Sequence, residues 1–541
     1  MKKNIFVAMS SILVLGAALA GCGGGNAGDN ANSGQTAPAE STGPKVLKMN
    51  LHSEPPTADP GLAEDTTSGA VVRATFDGLT RNVDGKSKES MAEKIEVSQD
   101  LMTYTFKLRD AKWSNGDPVT AKDFEFAWKR ALDPKTASNY AYQLYYIKNG
   151  EKFNKGQAKM EDVGVKALDD KTLEVKLEAP TPFFLELTSF YTYYPVNQKV
   201  VEANPKWAAE AATHVGNGPF KIETWEHKNK MVLVKSDTYW DKDAVKLDKI
   251  DFSMVEDENT ELSMFENGEI DWAGHPLSAL PTDAIPALKD SGKMVTQPIA
   301  GTYFYRFNTE QAPFNNAKIR KAFTYAINRQ AIIDNVLQAG QTPAMGYIPQ
   351  SMSVNADPFF KDNDVETAKK LLEEGMKEEG ITKLPPVTLS YNTSEGHKKV
   401  AEAIQDQWKK AFNIDVKLEN KEWKVYLDDV HQGKYQIARA GWLGDFNDPI
   451  NFLEMFKDKD GGNNDTRWEN PKYKELLNKS ALEVDPEKRK QLLAQAEAIL
   501  MEDMPIAPIY YYTDSWVKAD KVKGVSVDGL GHVDFKWATV E

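Results

Sequence analysis

The chain has 541 residues and one cysteine, Cys22. It can form no internal disulfide and no multi-cysteine metal site. Whatever it folds into is therefore held together by burial of apolar surface. A chain of this length can supply that, and it predicts a large core divided over two or three domains. An apolar fraction of 41% and a charged fraction of 27% are those of an ordinary globular protein.

The position of Cys22 narrows the reading further. Lys2 and Lys3 open the chain, an apolar run extends over 5–20, and small residues lead into the cysteine through Leu19, Ala20 and Gly21. That is the plan of a secretory signal: charged, then apolar, then a small-residue cleavage site. The run is shorter than the ~20 residues a spanning helix needs. Leu-Ala-Gly-Cys also resembles the lipobox of bacterial lipoproteins. The resemblance implies cleavage before Cys22, a diacylglycerol on its thiol and, in many species, an acyl chain such as palmitate on the new amino terminus. The alternative is a plain secretory signal with a chance cysteine. Residues 1–21 are thus expected to be signal peptide. Residues 22–44, rich in Gly, Ser, Asn, Ala and Pro without apolar periodicity, are expected to be a flexible tether. Eighty acids against 66 bases argue against nucleic acid as a partner.

Along the body, apolar alternation predicts strands at 45–51 and 103–108. A turn follows at Asn115-Gly116-Asp117-Pro118. Thr120 is then placed to cap an amphipathic helix carrying Phe124, Ala127, Trp128 and Ala131. "KTLEVKL", "KMVLVKSDTYW", "GEIDWAG" and 304–308 read as strands. A single helix is expected over 318–337, with Ile319, Ala322, Phe323, Ala326 and Ile327 on one face. A strand in "VTLSYNTSEG", a helix over 397–412 and a strand over 414–418 form a βαβ pattern. A short strand at 436–439 leads into the loop "ARAGWLGDFNDP". A helix over 486–501 precedes a closing strand in "IAPIYYYTDSWVKAD". The class is mixed α/β, without simple doubly wound order and without internal repeats.

The usual signatures of catalysis are missing. There is no Gly-x-Ser-x-Gly elbow, no His-Glu-x-x-His, no Walker A motif and no Gly-x-Gly-x-x-Gly opening a helix after a strand. No cofactor and no metal is expected. A two-carboxylate glycosidase is not excluded by inventory, so a secreted hydrolase stays as the rival of another class.

Six stretches carry a family resemblance: "AKWSNGDPVTAKDFEFAWKR" (111–130), "DPKTASNYA" (133–141), "YNTSEGHKKVA" (391–401), "KEWKVYLDDVHQGKY" (421–435), "ARAGWLGDFNDP" (438–449) and "PIYYY" (508–512). Together they resemble the oligopeptide-binding lipoproteins of bacterial peptide ABC importers, in the large peptide/nickel group of solute-binding proteins. The resemblance covers nearly the whole body. It implies a three-domain, periplasmic-binding-protein-like fold of type II, a venus flytrap with an extra inserted domain. Domain I would be 45–76, 199–300 and 512–541; domain II, inserted, 77–198; domain III, 301–511. Domain III would close on the rest like a jaw.

The same resemblance assigns roles. Asp445 would bind the free α-amino group of a peptide through a charge-assisted hydrogen bond; the bland reading is an Asx turn or helix cap. Trp442, Trp423 and Tyr140 would wall side-chain pockets, against core packing. Gly441 would let the ligand backbone approach, against a simple turn. Glu64 and Arg73 would face the cleft from domain I, against surface salt bridges. Arg439 and His397 would meet the peptide's carboxylate, against a cap or surface role for His397. Two departures stand out. Basic positions that serve the carboxylate in other members are Leu337 and Val430 here, and an acidic position is Arg306. Peptide length and carboxyl-end recognition therefore do not carry over, and Arg306 is a candidate for part of the missing positive charge.

The function implied is a lipid-anchored receptor on the outer face of the cell membrane, more in keeping with a Gram-positive surface than a periplasm. It would be a monomer that captures oligopeptides as an added strand and delivers them to a membrane-embedded ABC permease. Within the same fold, dipeptides, a nickel chelate or oligosaccharides are the alternative ligands. A surface chaperone or sensor without transport is a further one.

Overall fold

Two antiparallel strands of 13 residues each, Val295–Phe307 and Ile506–Lys518, run side by side through the middle of the described chain. This computed structural model describes residues 43–83 and 85–541. Cys22, the signal segment and nearly all of the tether lie outside the described residues. Among the described residues no helix is long and apolar enough to cross a membrane, and no group of His, Cys, Asp or Glu is placed to hold a metal.

The two long strands anchor the largest sheet, whose order is Trp272–Gly274, Ile506–Lys518, Val295–Phe307, Ile437–Leu443, Val387–Asn392, Val416–Lys421. Between Pro298 and Thr302 their register is interrupted, and again between Tyr303 and Phe304. The sheet's far edge is the expected βαβ unit. Val387–Asn392 and Val416–Lys421 pair in parallel, joined by the helix Glu395–Phe412, which starts where the Ser394 hydroxyl accepts the amide of His397. Val400, Ala401, Ile404 and Trp408 are the buried stripe of that helix.

Two four-stranded sheets flank this core. One has the order Val46–Asn50, Lys249–Ser253, Lys230–Lys235, Phe220–Glu226, so the first strand of the body pairs with one some 200 residues later. Its period-2 burial is as expected, with Leu47 and Met49 inside. The other is antiparallel, in the order Ala92–Val97, Thr103–Leu108, Thr172–Lys176, Val165–Asp169. The helix Ala121–Leu132 packs on it through Phe124, Ala127, Trp128 and Ala131. Thr120 stands at its cap, and the Asp123 carboxylate takes the Thr120 amide at 2.8 Å.

Three elements differ from the sequence expectation. The loop expected after 436–439 is strand as far as Leu443, so Gly441 and Trp442 are sheet residues opposite Tyr303 and Thr302. Alternation is hidden there by Gly441 and the arginine. The strand expected at 304–308 begins much earlier, at Val295. The helix expected over 318–337 is broken into Ala317–Tyr325, Arg329–Ile332 and a wide π-turn Ile333–Leu337. Asn328 causes the break. Its backbone is extended, its amide donates to Gln407 at 2.8 Å, and its side chain accepts from Ala331 at 2.9 Å to start the next turn.

The break lets Arg329 turn inward, where it is fully buried. Its guanidinium donates to the carbonyls of Pro508 (2.7 Å), Thr324 (3.2 Å) and Ile327 (3.2 Å) and to Asp362 (3.0 Å). Thus one side chain closes the helix break and ties it to the central strand Ile506–Lys518. Removing it strands a carboxylate and enclosed carbonyls. Arg329→Leu is expected to lower unfolding stability by about 3 kcal/mol, read from the shift in urea midpoint; a loss within error of zero would show that the break is held elsewhere.

Candidate functional site

A cavity of about 340 Å³ opens between these sheets, within the size range of small-ligand sites. All twelve residues singled out from the sequence, as ligand-facing or as departures there, line it: Glu64, Arg73, Tyr140, Arg306, Leu337, His397, Trp423, Val430, Arg439, Gly441, Trp442 and Asp445.

Asp445 follows the strand Ile437–Leu443 and is almost enclosed. Its carboxylate accepts from the Tyr140 hydroxyl (3.1 Å), the Gln143 amide (2.7 Å) and the Asn451 amide (2.9 Å). Asn451 also takes the Asp445 backbone amide at 2.9 Å and the Trp442 indole at 3.1 Å. All three donors are neutral, and among the described residues no cationic side chain forms an ion pair with this carboxylate. Burial pushes Asp445 up to about 7, although its hydrogen bonds and the nearby Arg73 pull the other way. Glu454, beside it and enclosed, is pushed up to about 8, mainly by burial. Its partner is the Tyr146 hydroxyl at 2.5 Å. The Asp445 carboxylate is thus oriented by donors from two distant segments and left without a countercharge.

Arg439 is the complementary case. It lies on the same strand, its guanidinium 4.8 Å over the Tyr303 ring, with one nitrogen donating to the Tyr512 hydroxyl at 2.7 Å. Its Nε is enclosed without a partner, and among the described residues no carboxylate pairs with it. Gly441 makes this possible: a Cβ there would lie 2.3 Å from the Tyr512 hydroxyl that Arg439 uses. His397 sits beside Tyr303, ring centroids 5.6 Å apart. Burial and then Arg439 hold its pKa well below 6.5, so it is a neutral imidazole.

The strand also offers a free edge. Val387–Asn392 pairs with it only at Ile437 and Ala438. The Gly444 amide bonds back to Ala300 on the strand Val295–Phe307, so backbone groups of alternate residues face that way. The other set faces outward. The Arg439 carbonyl takes the Tyr426 hydroxyl at 2.5 Å, and Gly441, two residues on, faces the same edge and the cavity.

The remaining residues are placed as follows. The Trp423 indole donates to Asp65 at 3.1 Å and its ring stacks on Tyr426. Glu64 accepts from Asn139 at 2.6 Å and meets one nitrogen of His431 at 2.8 Å; the other nitrogen meets Asp465 at 2.8 Å. Arg306 is ion-paired with that same Asp465, so its charge is already matched inside the protein. Arg73 lies with its guanidinium 5.4 Å from the centre of the Tyr191 ring. Leu337 and Val430 are buried. Gln143, Asn451, His431 and Asp465 were not singled out from the sequence. The first two sit three residues after Tyr140 and six after Asp445, close enough in sequence to flag once those residues are chosen.

Comparison with known proteins agrees with this geometry. Residues 86–464 match the family described as bacterial extracellular solute-binding proteins, family 5 middle. The chain is 53% identical over 545 residues to the oligopeptide-binding protein OppA of Bacillus subtilis, with 99% of each chain covered. Its fold matches Haemophilus influenzae OppA in complex with RPPGFSPFR at a TM-score of 0.87 and 33% identity, covering 92% of this chain and 99% of that one. The murein tripeptide binding protein MppA of Escherichia coli matches at 0.87 with 32% identity, covering 92% of this chain and 98% of that one. The unliganded open form of MppA, also at 32% identity and 92% coverage of this chain, and 97% of its own, matches at only 0.62. A mixed α/β solute-binding fold of type II, a cavity between its sheets and a full-length relative place the chain in family 5 of the bacterial extracellular solute-binding proteins.

Proposed function

We propose that this chain captures oligopeptides by their free amino end and delivers them to a membrane-embedded ABC permease. As a solute-binding protein it performs no covalent chemistry. The observation that carries the reading is Asp445: an enclosed carboxylate, held by three neutral donors, that lacks a cation. Burying a charge unpaired is costly, and a peptide's α-ammonium supplies the partner. The outward edge at Arg439 and Gly441 suits a ligand added as a strand, whose backbone bonds give affinity without reading side chains. Trp442, Tyr140 and Trp423 then wall side-chain pockets, and unpaired Arg439 suits the peptide's carboxylate. The names of its relatives support peptides over sugars or nickel chelates.

Closure is part of the proposal. We read 45–76, 199–300 and 512–541 as one body, 77–198 as inserted in it, and 301–511 as the moving jaw. Both crossings fall within the paired long strands, one of them where register lapses between Pro298 and Thr302. The drop from 0.87 to 0.62 between two forms of one relative, at equal coverage, supports such a motion and a closed arrangement here. Cys22 would carry the lipid and 22–44 the leash that keep this monomeric receptor at the outer face of the membrane.

Two expectations follow from Asp445. Asp445→Asn should weaken binding of a free-amine peptide by about 100-fold or more, and N-acetylation of the peptide should cost the wild type as much but the variant little. Calorimetric titration of the four pairs checks this; equal affinity for free and acetylated peptides in the wild type would remove the ammonium contact. The second concerns pH. Enclosed without a cation, Asp445 titrates near 7, whereas a bound ammonium holds it ionised. The complex therefore has the lower Asp445 pKa, so binding is full above about 7 and is lost as pH falls through it, approaching tenfold per unit. The peptide's own amine, with an ordinary pKa of about 7.7–8.0, limits the alkaline side. Affinity should peak between about pH 7 and 8, and an acetylated peptide should show no such peak.

A further inference from the structure

A second carboxylate on the cavity wall has no role in the capture of a peptide's amino end. Asp514 lies on the strand Ile506–Lys518 and lines the cavity. Side chains two apart on a strand share a face and stand about 6.5–7 Å apart. Tyr510, Tyr512 and Asp514 are such a series, and all three line the cavity. Asp514 is therefore one step beyond the Tyr512 hydroxyl that receives Arg439. Its residue is 2% exposed, and its Oδ2 is enclosed with no hydrogen-bond partner among the described residues.

Four other acids of this wall each hold at least one partner, although Asp65 Oδ1 and Glu258 Oε2 are also enclosed without one. Asp465 pairs with Arg306, Glu64 with His431 and Asn139, Glu258 accepts from Ser394 at 2.6 Å, and Asp65 accepts from Trp423. Asp528, whose charge acts on Asp514, is itself 3.5 Å from His532. His275 acts on Asp514 in the opposite sense to Asp528, and its Nδ1 lies 3.2 Å from both the amide nitrogen and the carbonyl oxygen of Ser515. The wall as a whole has seven carboxylates against three guanidiniums and no lysine. After Arg306 is matched to Asp465, the excess of acid is unrelieved.

We propose that Asp514 is a subsite for a cationic side chain of the bound peptide, lysine or arginine, so that this receptor favours basic peptides. An unpartnered carboxylate contributes nothing to the fold and costs burial energy; an ammonium or guanidinium reaching it makes a charge-assisted bond. Pro276, Leu277 and Leu280 line the same cavity and offer an apolar path for the long stem of such a side chain. Burial, outweighing the nearby His275, already pushes Asp514 up to about 6, the direction expected of an acid that lacks its cation.

The inference rests on the cavity being a peptide site, and its test separates the two. Pentaalanine, and its variants with one lysine or one norleucine at each position in turn, are titrated against the whole mature chain. The ratio of norleucine to lysine dissociation constants is expected to reach about tenfold at one position. In Asp514→Asn that ratio is expected to fall to near one. A wild-type ratio near one at every position overturns the assignment whatever the variant does, and so does an Asp514→Asn ratio equal to the wild type's. Pentaalanine that does not bind overturns the peptide reading and this assignment together, whereas a missing lysine advantage overturns this one alone.

Discussion

A buried negative charge with no positive neighbour is the interaction on which the rest of this structure turns. The Asp445 carboxylate is gripped by Tyr140 and Gln143 from one segment and Asn451 from another, more than 300 residues apart in sequence from the first two. Neutral donors orient a carboxylate without discharging it. Such a group resists closure around an empty cavity, because closing removes water and puts nothing in its place. A ligand ammonium reverses that balance. In the function proposed above, the same residue supplies both the recognition of a ligand and the coupling of recognition to closure, since a ligand shifts a conformational equilibrium only by its differential affinity for the two states.

That coupling needs a scaffold rigid within each body and yielding between them. In the division into bodies proposed above, the paired strands Val295–Phe307 and Ile506–Lys518 are that scaffold. Along most of their length they are locked by ladder hydrogen bonds, yet register lapses between Pro298 and Thr302, where Pro298 has no amide to give. The cavity wall runs across that lapse on the strand Ile506–Lys518, with Tyr510 on one side of it, Asp514 on the other and Tyr512 between. Arg329, reaching across a broken helix to the Pro508 carbonyl, fixes the rigid side.

Much of the fold was legible in the sequence because its signals are local. Alternation over 103–108, the Thr120 cap and the βαβ unit all depend on near neighbours, and the structure has them. The helix break at Asn328 was not legible, because the apolar stripe of 318–337 continues through it; the amide that Asn328 frees is taken by a side chain, Gln407, far along the chain. The extension of the strand past Arg439 was hidden by Gly441, which weakens strand propensity but is needed where Tyr512 lies against it. At the site, resemblance pointed to Asp445, Trp442 and Arg439, and all line the cavity. It did not show that Arg306 is matched by Asp465 or that Asp514 has no partner. Those facts depend on which charges meet across the fold, and sequence spacing does not carry that information.

The arrangement of charge bears on how the proposed peptide site would combine breadth with discrimination. Unpaired Arg439 lies on the strand Ile437–Leu443 and unpaired Asp445 two residues past its end, six residues apart, with a free backbone edge between them. In the proposed function, a zwitterionic chain laid along that edge satisfies both without any contact to its side chains. Pairs already made inside the wall, Arg306 with Asp465 and Glu64 with His431, add polarity but no net demand on a ligand. Selectivity then falls to whatever charge is left over, and here that is acid. A receptor built on backbone bonds alone would be indifferent to side chains; in the assignment proposed above, the unpartnered Asp514 is what tilts it toward basic ones.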